Sequence, residues 1–407
     1  MNEKIGVIGG GPAGIIAAGY AGARGKDVVL IEKNNKLGKK LYITGKGRCN
    51  ITNGSSIENF FDNITTNKTF LYSSFYSFTN EDIIFLLENY GLKTKTERGN
   101  RVFPLSDKSS DVIKALESFL IDKNVNIMLN TYVKDIEHKI NKFIVKLNNN
   151  KEIKFDKIIL ATGGISYPAT GSTGDGYKFA ANFGHHIKSL KPSLVGIEIE
   201  NQWIKDLQGL SLKNVELITF VNNKEVCREF GEMLFTHYGI SGPIVLSTSS
   251  YINKYSKEKI EFSIDLKPAL SREKLDKRIL RDFELYKNKQ INNGLVDLLP
   301  QSIIPIIINK SNIDEKTLVH QITKAERHKI IDNIKDLNFK YKSLRPIKEA
   351  IITSGGISVN EIEPSTMESK LHPGLFFAGE IIDVDGLTGG YNLQIAYSTG
   401  YLAGISV

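Results

Sequence analysis

The sequence predicts an α/β chain in which one glycine-rich, parallel-sheet domain is split by inserts. Three observations carry this. Residues 4–32 read as strand, glycine turn, helix and strand; ILATGG at 159–164 ends an apolar strand in a second glycine turn; and the last sixty residues restore strands, a third glycine-rich turn and a helix of small residues. Nothing between about 192 and 343 repeats that order, so the middle of the chain reads as inserted material.

The composition limits the function classes. At 407 residues the chain is too long for one ordinary core. The hydrophobic fraction of 41% and charged fraction of 24% are those of a globular protein. Two distant cysteines, Cys49 and Cys227, exclude a disulfide framework and a cysteine metal cluster, and they fit a reducing compartment. A cytoplasmic location is therefore expected. The opening MNEKIGVIGG lacks a basic and then apolar leader, and no run has the length a bilayer needs, so neither export nor a membrane span is expected. The charge of +8 could attract an anionic partner. The lysines are scattered among glutamates and asparagines, which favours a solvated surface over a nucleic-acid footprint, and no nucleic-acid partner is expected.

The elements follow in order. KIGVIG is an apolar strand, GGGPAG a turn, IIAAGYAGARG a helix of small residues, and VVLIE the next strand. The aromatic segment from Asn59 to Leu92 reads as helices, with TNED as a start signal and Gly91 as a stop. RVFPLSDKSSDVIKALESFLI gives a turn and a helix, after which the period switches to strands that end in ILATGG. This yields a first domain part at 1–191, a β-rich insert at 192–267, a helical lysine-rich insert at 268–343, and a return to the first domain at 344–407.

The spacing of Gly9, Gly11 and Gly14 is that of a dinucleotide fingerprint in its proper strand-to-helix context, with Glu32 ending the second strand. The first glycine permits the turn, the second admits a pyrophosphate, the third lets helix and strand pack, and Glu32 can accept from ribose hydroxyls. Later segments distinguish FAD from NAD. ILATGG returns to the cofactor, GLFFAGEIIDVDG places an acidic pair, Asp383 and Asp385, after a buried strand, and GGYNLQIAYSTG starts a helix whose free N–H groups can stabilise charge on a reduced flavin. TGKGRCNITN, at 44–53, adds a glycine-rich turn with Lys46 and Arg48 beside Cys49. Those cations suit phosphate, and Cys49 has no second cysteine for dithiol redox chemistry, so the segment reads as a cofactor cradle in which Cys49 is a bystander.

With GGGPAG, KLYITGKGRCNITN, RVFPLSDKSSDV, ILATGGISYPATGSTGDGY, GEMLFTHYGISGP and TMESKLHPGLFFAGEIIDVDGLTGGYNLQIA in place, the chain resembles the BaiN or aminoacetone-oxidase-like (YhiN-like) FAD-dependent oxidoreductases over essentially its full length. The resemblance implies a Rossmann-type, glutathione-reductase-like split FAD domain with an inserted β-barrel-like domain and a small helical domain. It also implies cofactor binding by Gly9, Gly11, Pro12, Ala13, Gly14, Glu32, Lys33, Lys40, Gly45, Gly47, Arg48, Cys49, Asn50, Val133, Ala161, Thr162, Gly163, Gly379, Glu380, Asp383, Gly390, Tyr391, Asn392, Leu393 and Gln394.

Two catalytic candidates remain. His237, in GEMLFTHYGISGP with Glu232, Thr236 and Ser241, suits a loop that handles a proton, though packing explains the motif about as well. Tyr167, between two glycine turns, is the second. His185 and His186, adjacent in sequence, do not make a metal pair, and no metal is expected. No separate nicotinamide domain is legible, so NADH or NADPH would dock transiently as electron donor. The family activities implied are reduction of a carbon–carbon double bond conjugated to a ketone, as in a 3-oxo bile acid or steroid, and oxidation of an aminoacetone-type amine with release of hydrogen peroxide. A third expectation, from another class, is a flavin-bearing RNA-associated or binding protein. The sequence is silent on oligomeric state.

Overall fold

The computed structural model describes residues 3–255 and 257–407. Two compact units are present, one formed by residues up to Ser193 with Pro346–Val407, the other by Leu194–Arg345.

The first unit is organised by five parallel strands: β1 (Lys4–Ile8), β2 (Asp27–Ile31), β3 (Asn126–Met128), β4 (Lys157–Leu160) and β5 (Leu375–Phe377). They lie in the order β5-β4-β1-β2-β3, with every adjacent pair parallel. This is the arrangement of a doubly wound nucleotide fold. Strands buried on both faces read as continuous apolar runs rather than alternations, which is why VVLI, KIIL and LFF look as they do. Around the sheet lie the helices α1 (Pro12–Ala23), α2 (Lys39–Ile43), α3 (Ser109–Asp122), α4 (Asp175–Asn182) and α5 (Tyr391–Ser406).

The small residues of α1 and α5 have a packing cause. A Cβ on Gly400 would lie 2.4 Å from the Ala13 carbonyl oxygen, and one on Gly404 would lie 2.5 Å from that of Ala17. The last helix therefore packs directly on the first, backbone to backbone, and brings the two ends of the chain into one core.

The second unit is a closed six-stranded barrel whose strands follow the order 197–199, 239–241, 224–235, 211–221, 260–265 and 337–344. Leu212, Val215, Leu217, Phe235, Phe262 and Phe339 belong to its core. Helices Arg272–Leu285, Ile304–Lys310 and Lys324–Lys335 lie within the same unit. The stretch expected to be helical through 343 thus ends in a strand, because Leu337 and Phe339 alternate inward and pair with Ile264 and Phe262. No described helix is long and apolar enough to cross a membrane.

Candidate functional site

The helix α1 starts at Gly11 with Pro12 in its first position, where the missing N–H costs nothing. No side chain caps it and its first turn holds no acidic residue, so its leading N–H groups are left for an anion. Three glycines precede or enter the helix for different reasons. Gly9 has φ of +107° and its Cβ position is blocked by the Ala161 carbonyl at 2.4 Å, while Gly14 is blocked by the Gly9 carbonyl at 1.9 Å. Gly11 is unlike both. Its φ is −81°, open to any residue, and a Cβ there would meet nothing within 4 Å. The space over Gly11 is a cradle that a side chain would fill.

The crossing of GGGPAG and ILATGG is direct, since Ala161 N donates to Ile8 O at 2.9 Å. Glu32 is buried beside the turn, accepting from Gly10 N and from Asn34 N and Nδ2, each at 2.7 Å. A carboxylate with four lone pairs keeps capacity for ribose hydroxyls after those bonds. The chain leading to Val133 passes alongside, with Asn130 N bonded to Asn34 O at 2.9 Å and Thr131 N to Glu32 O at 3.0 Å.

The C-terminal segment closes the ring. Gly379, at φ of +79°, faces Ala13 across a gap that a Cβ would reduce to 2.8 Å. Gly390, at φ of +102°, abuts the backbone of Thr52 and precedes α5, which likewise has no side-chain cap and no acidic residue in its first turn. Asn53 Nδ2 donates to Gly389 O at 3.1 Å and Thr52 Oγ1 to Gln394 Oε1 at 2.8 Å, which fixes the start of α5 against the end of TGKGRCNITN. Four segments that are remote in sequence therefore meet at one place. Within them Asn50 Oδ1 and Thr162 Oγ1 are buried without a protein partner. Buried polar atoms are rarely left so. Together with the open space at Gly11 and two uncapped helix starts, this donor and acceptor set fits a dinucleotide with a pyrophosphate.

Several expected cofactor residues have protein partners. Lys40 Nζ pairs with Glu380 Oε2 at 2.6 Å and donates to Ser166 Oγ at 2.7 Å, while Glu380 Oε1 accepts from Ser166 Oγ at 2.9 Å and Thr353 N at 2.8 Å. Sequence reasoning missed Ser166 and Thr353, whose only signal is their position within glycine-flanked motifs. Lys33 pairs with Asp175 at 2.8 Å. Asn392 bonds Gly386 and Leu387, and Gln394 bonds Thr52, Phe78 and Ser398, so both side chains act as ties. Asp383 accepts from Asn67, and Asp385 from Thr65, Ser354 and Ser193; burial pushes both carboxyls up. Tyr391 and Leu393 lie in the first turn of α5.

The 44–50 turn differs from expectation in its charges. Arg48 is bound by Glu97 and Asp107 and lies 4.2 Å over the Phe103 ring, so its guanidinium orders the turn instead of standing free for phosphate. Gly45, Lys46, Gly47 and Cys49 all have positive φ. For Lys46 that conformation costs about 1 kcal/mol, and its side chain is exposed, with no carboxylate partner among the described residues. Cys49 is fully buried, and burial pushes its thiol up to about 12. A thiol so placed stays protonated at neutral pH and is no nucleophile. Cys49→Ser should therefore keep both flavin and turnover, at a stability cost of about 1–2 kcal/mol for a buried hydroxyl. Flavin content and steady-state rate are the readouts, and loss of turnover with flavin retained would make the thiol a participant.

Tyr167 is half-buried at φ of +49°, an uncommon conformation for an aromatic residue. His237 belongs to the second unit, exposed at a hairpin tip where Thr236 N bonds Gly239 O at 2.8 Å. His185 and His186 both approach Glu361, and His185 Nε2 meets Ser369 Oγ at 2.8 Å. No group of three or more metal-ligating side chains is present among the described residues.

A family model for the HI0933-like protein Rossmann domain matches residues 3–406. The 3-dehydro-bile acid delta(4,6)-reductase of Clostridium scindens is 29% identical over 406 residues, covering 99% of this chain and 98% of its own. The ribosomal RNA dihydrouridine synthase of Escherichia coli is 30% identical over 396 residues, covering 97% and 95% respectively. Among solved structures, the 3-ketosteroid-delta4-(5alpha)-dehydrogenase of Rhodococcus jostii RHA1 shares the fold, with a TM-score of 0.51 at 14% identity over 99% of this chain and 96% of that one.

Proposed function

The chain belongs to the HI0933-like family and is a FAD-dependent oxidoreductase, and from that premise we propose that it reduces a carbon–carbon double bond conjugated to a carbonyl, using NADH or NADPH. The observation that supports reduction over oxidation is a shared chemistry. One relative is named for a bile-acid double-bond reduction and the other for making dihydrouridine, which saturates a uracil double bond next to a carbonyl. Both substrates are conjugated rings.

FAD, when bound, supplies the hydride-carrying ring. The protein residues do the rest. The N–H groups at the start of α1, with Gly11 leaving room, would hold the pyrophosphate, and Glu32 would accept from the ribose. Asn50 and Thr162 offer buried acceptors and donors to the sugar-alcohol chain. The uncapped start of α5 would stabilise negative charge on the reduced ring. Lys40 and Glu380 hold two of these segments in register. Tyr167, in the same unit as the cradle, would deliver the proton to the carbon next to the carbonyl.

A 3-oxo steroid-like ketone is the first acceptor on this reading. A uracil ring within RNA is the second, favoured by the relative named for making dihydrouridine in ribosomal RNA. An aminoacetone-type oxidase is the rival. Anaerobic mixing of the yellow holoprotein with NADH, NADPH or aminoacetone separates them. Bleaching by a nicotinamide is expected; bleaching by the amine alone, with peroxide formed on admitting air, would replace the reductase with the oxidase.

A further inference from the structure

Between Lys33 and Arg48 the chain carries six cations and no carboxylate. Three turn inward to protein carboxylates: Lys33 to Asp175, Lys40 to Glu380, and Arg48 to Glu97 and Asp107. The other three have no carboxylate partner among the described residues: Lys39 is half-buried and donates to Asn34 Oδ1 at 3.3 Å, while Lys36 and Lys46 are exposed. Lys36 lies 4.4 Å over the ring of Tyr42, which is itself 44% exposed. Ser109 Oγ donates to Tyr42 O at 2.7 Å, which sets the start of α3, and with it the exposed Lys108, against the same face. Lys95 nearby is neutralised by Asp107 at 2.6 Å, and the first turn of α3 carries a carboxylate, Asp111. Lys46 is held in the left-handed region between two glycines, a position glycine itself would occupy without strain. An ammonium kept at a strained apex without a counter-charge points to a ligand rather than to packing.

We propose that this face, made by Lys36, Lys46, Lys108 and Tyr42, is an RNA-backbone contact that guides a single-stranded or looped segment to the cradle beside it. The inference rests on the uracil reading of the reductase. Lysines carry the phosphates, and the exposed tyrosine ring stacks a base. A steroid has no phosphates to meet such a row, whereas a polyanion gains from each ammonium through counterion release. The sequence alone hides this, because the inward and outward lysines alternate in one run and look like a uniformly solvated segment.

The test uses FAD-loaded protein and a fluorescein-labelled oligouridylate, followed by anisotropy over a range of KCl concentrations. For Lys36→Glu with Lys108→Glu, the dissociation constant should rise tenfold or more, and the salt slope should fall by about 1.4, at roughly 0.7 for each single-strand phosphate no longer neutralised. Flavin absorbance should be unchanged. Lys213→Glu with Lys274→Glu makes the same charge change on exposed lysines of the second unit and should leave affinity near that of the native protein. If the first pair binds like the native protein, or the second pair weakens binding equally, the face is not the contact, while the uracil reading stands. If the native protein neither binds oligouridylate nor adds hydrogen to uracil in unmodified ribosomal RNA, the uracil reading fails and this inference goes with it.

Discussion

Gly11→Val should give folded protein that carries almost no flavin. The backbone at Gly11 is in an ordinary region and a Cβ there meets no protein atom within 4 Å, so the fold loses only the difference between glycine and valine at a helix cap, about 1 kcal/mol. The branched side chain instead occupies the space over the leading N–H groups of α1, where the pyrophosphate has to sit. The contrast is with Gly14, where a Cβ would lie 1.9 Å from the Gly9 carbonyl and the fold itself would be broken. Circular dichroism and flavin absorbance on the same sample separate the two effects. A yellow Gly11→Val protein with native flavin content would place the cofactor elsewhere.

Lys40→Met should destabilise the protein by about 2–3 kcal/mol, somewhat below the usual cost of removing one partner from a buried pair, because both side chains keep 21% exposure. The loss comes from the Glu380 carboxylate, which would retain Ser166 and Thr353 as donors but no counter-charge. Adding Glu380→Gln to that variant should recover most of the loss, since no charge is then left uncompensated. Denaturant unfolding of the four proteins in this cycle measures the coupling. Additive losses would mean that the two groups act independently and that the pair does not tie the α2 turn to the end of β5.

Much of the cradle is legible in the sequence because its constraints are local. Gly9 and Gly14 are glycines for steric reasons that act over a few residues, and the small residues of α1 and α5 announce a close helix pair. The apolar runs of β1, β2, β4 and β5 read as buried parallel strands for the same reason. The charge partners are not legible. Arg48 sits in a turn that looks built for phosphate, yet the carboxylates that bind it are 49 and 59 residues further on. Ser166 and Thr353, which complete the Lys40–Glu380 network, are separated by 187 residues. Lys46 and Arg48 would lower the Cys49 thiol if they faced it, but burial dominates and raises it. The last barrel strand, 337–344, reads as helical because Asn338, Lys340 and Lys342 at its exposed positions mask the alternation of Leu337 and Phe339.

The most direct test is a single anaerobic turnover. Holoprotein reduced beforehand would be mixed, in separate runs, with a 3-oxo-4-ene steroid and with unmodified ribosomal RNA, while flavin colour is followed and the product is weighed by mass spectrometry. We expect the colour to return with one of the two, with hydrogen added across its conjugated double bond. Colour that returns only when oxygen is admitted, with both acceptors recovered unchanged, would contradict the assignment of this chain as a conjugate reductase.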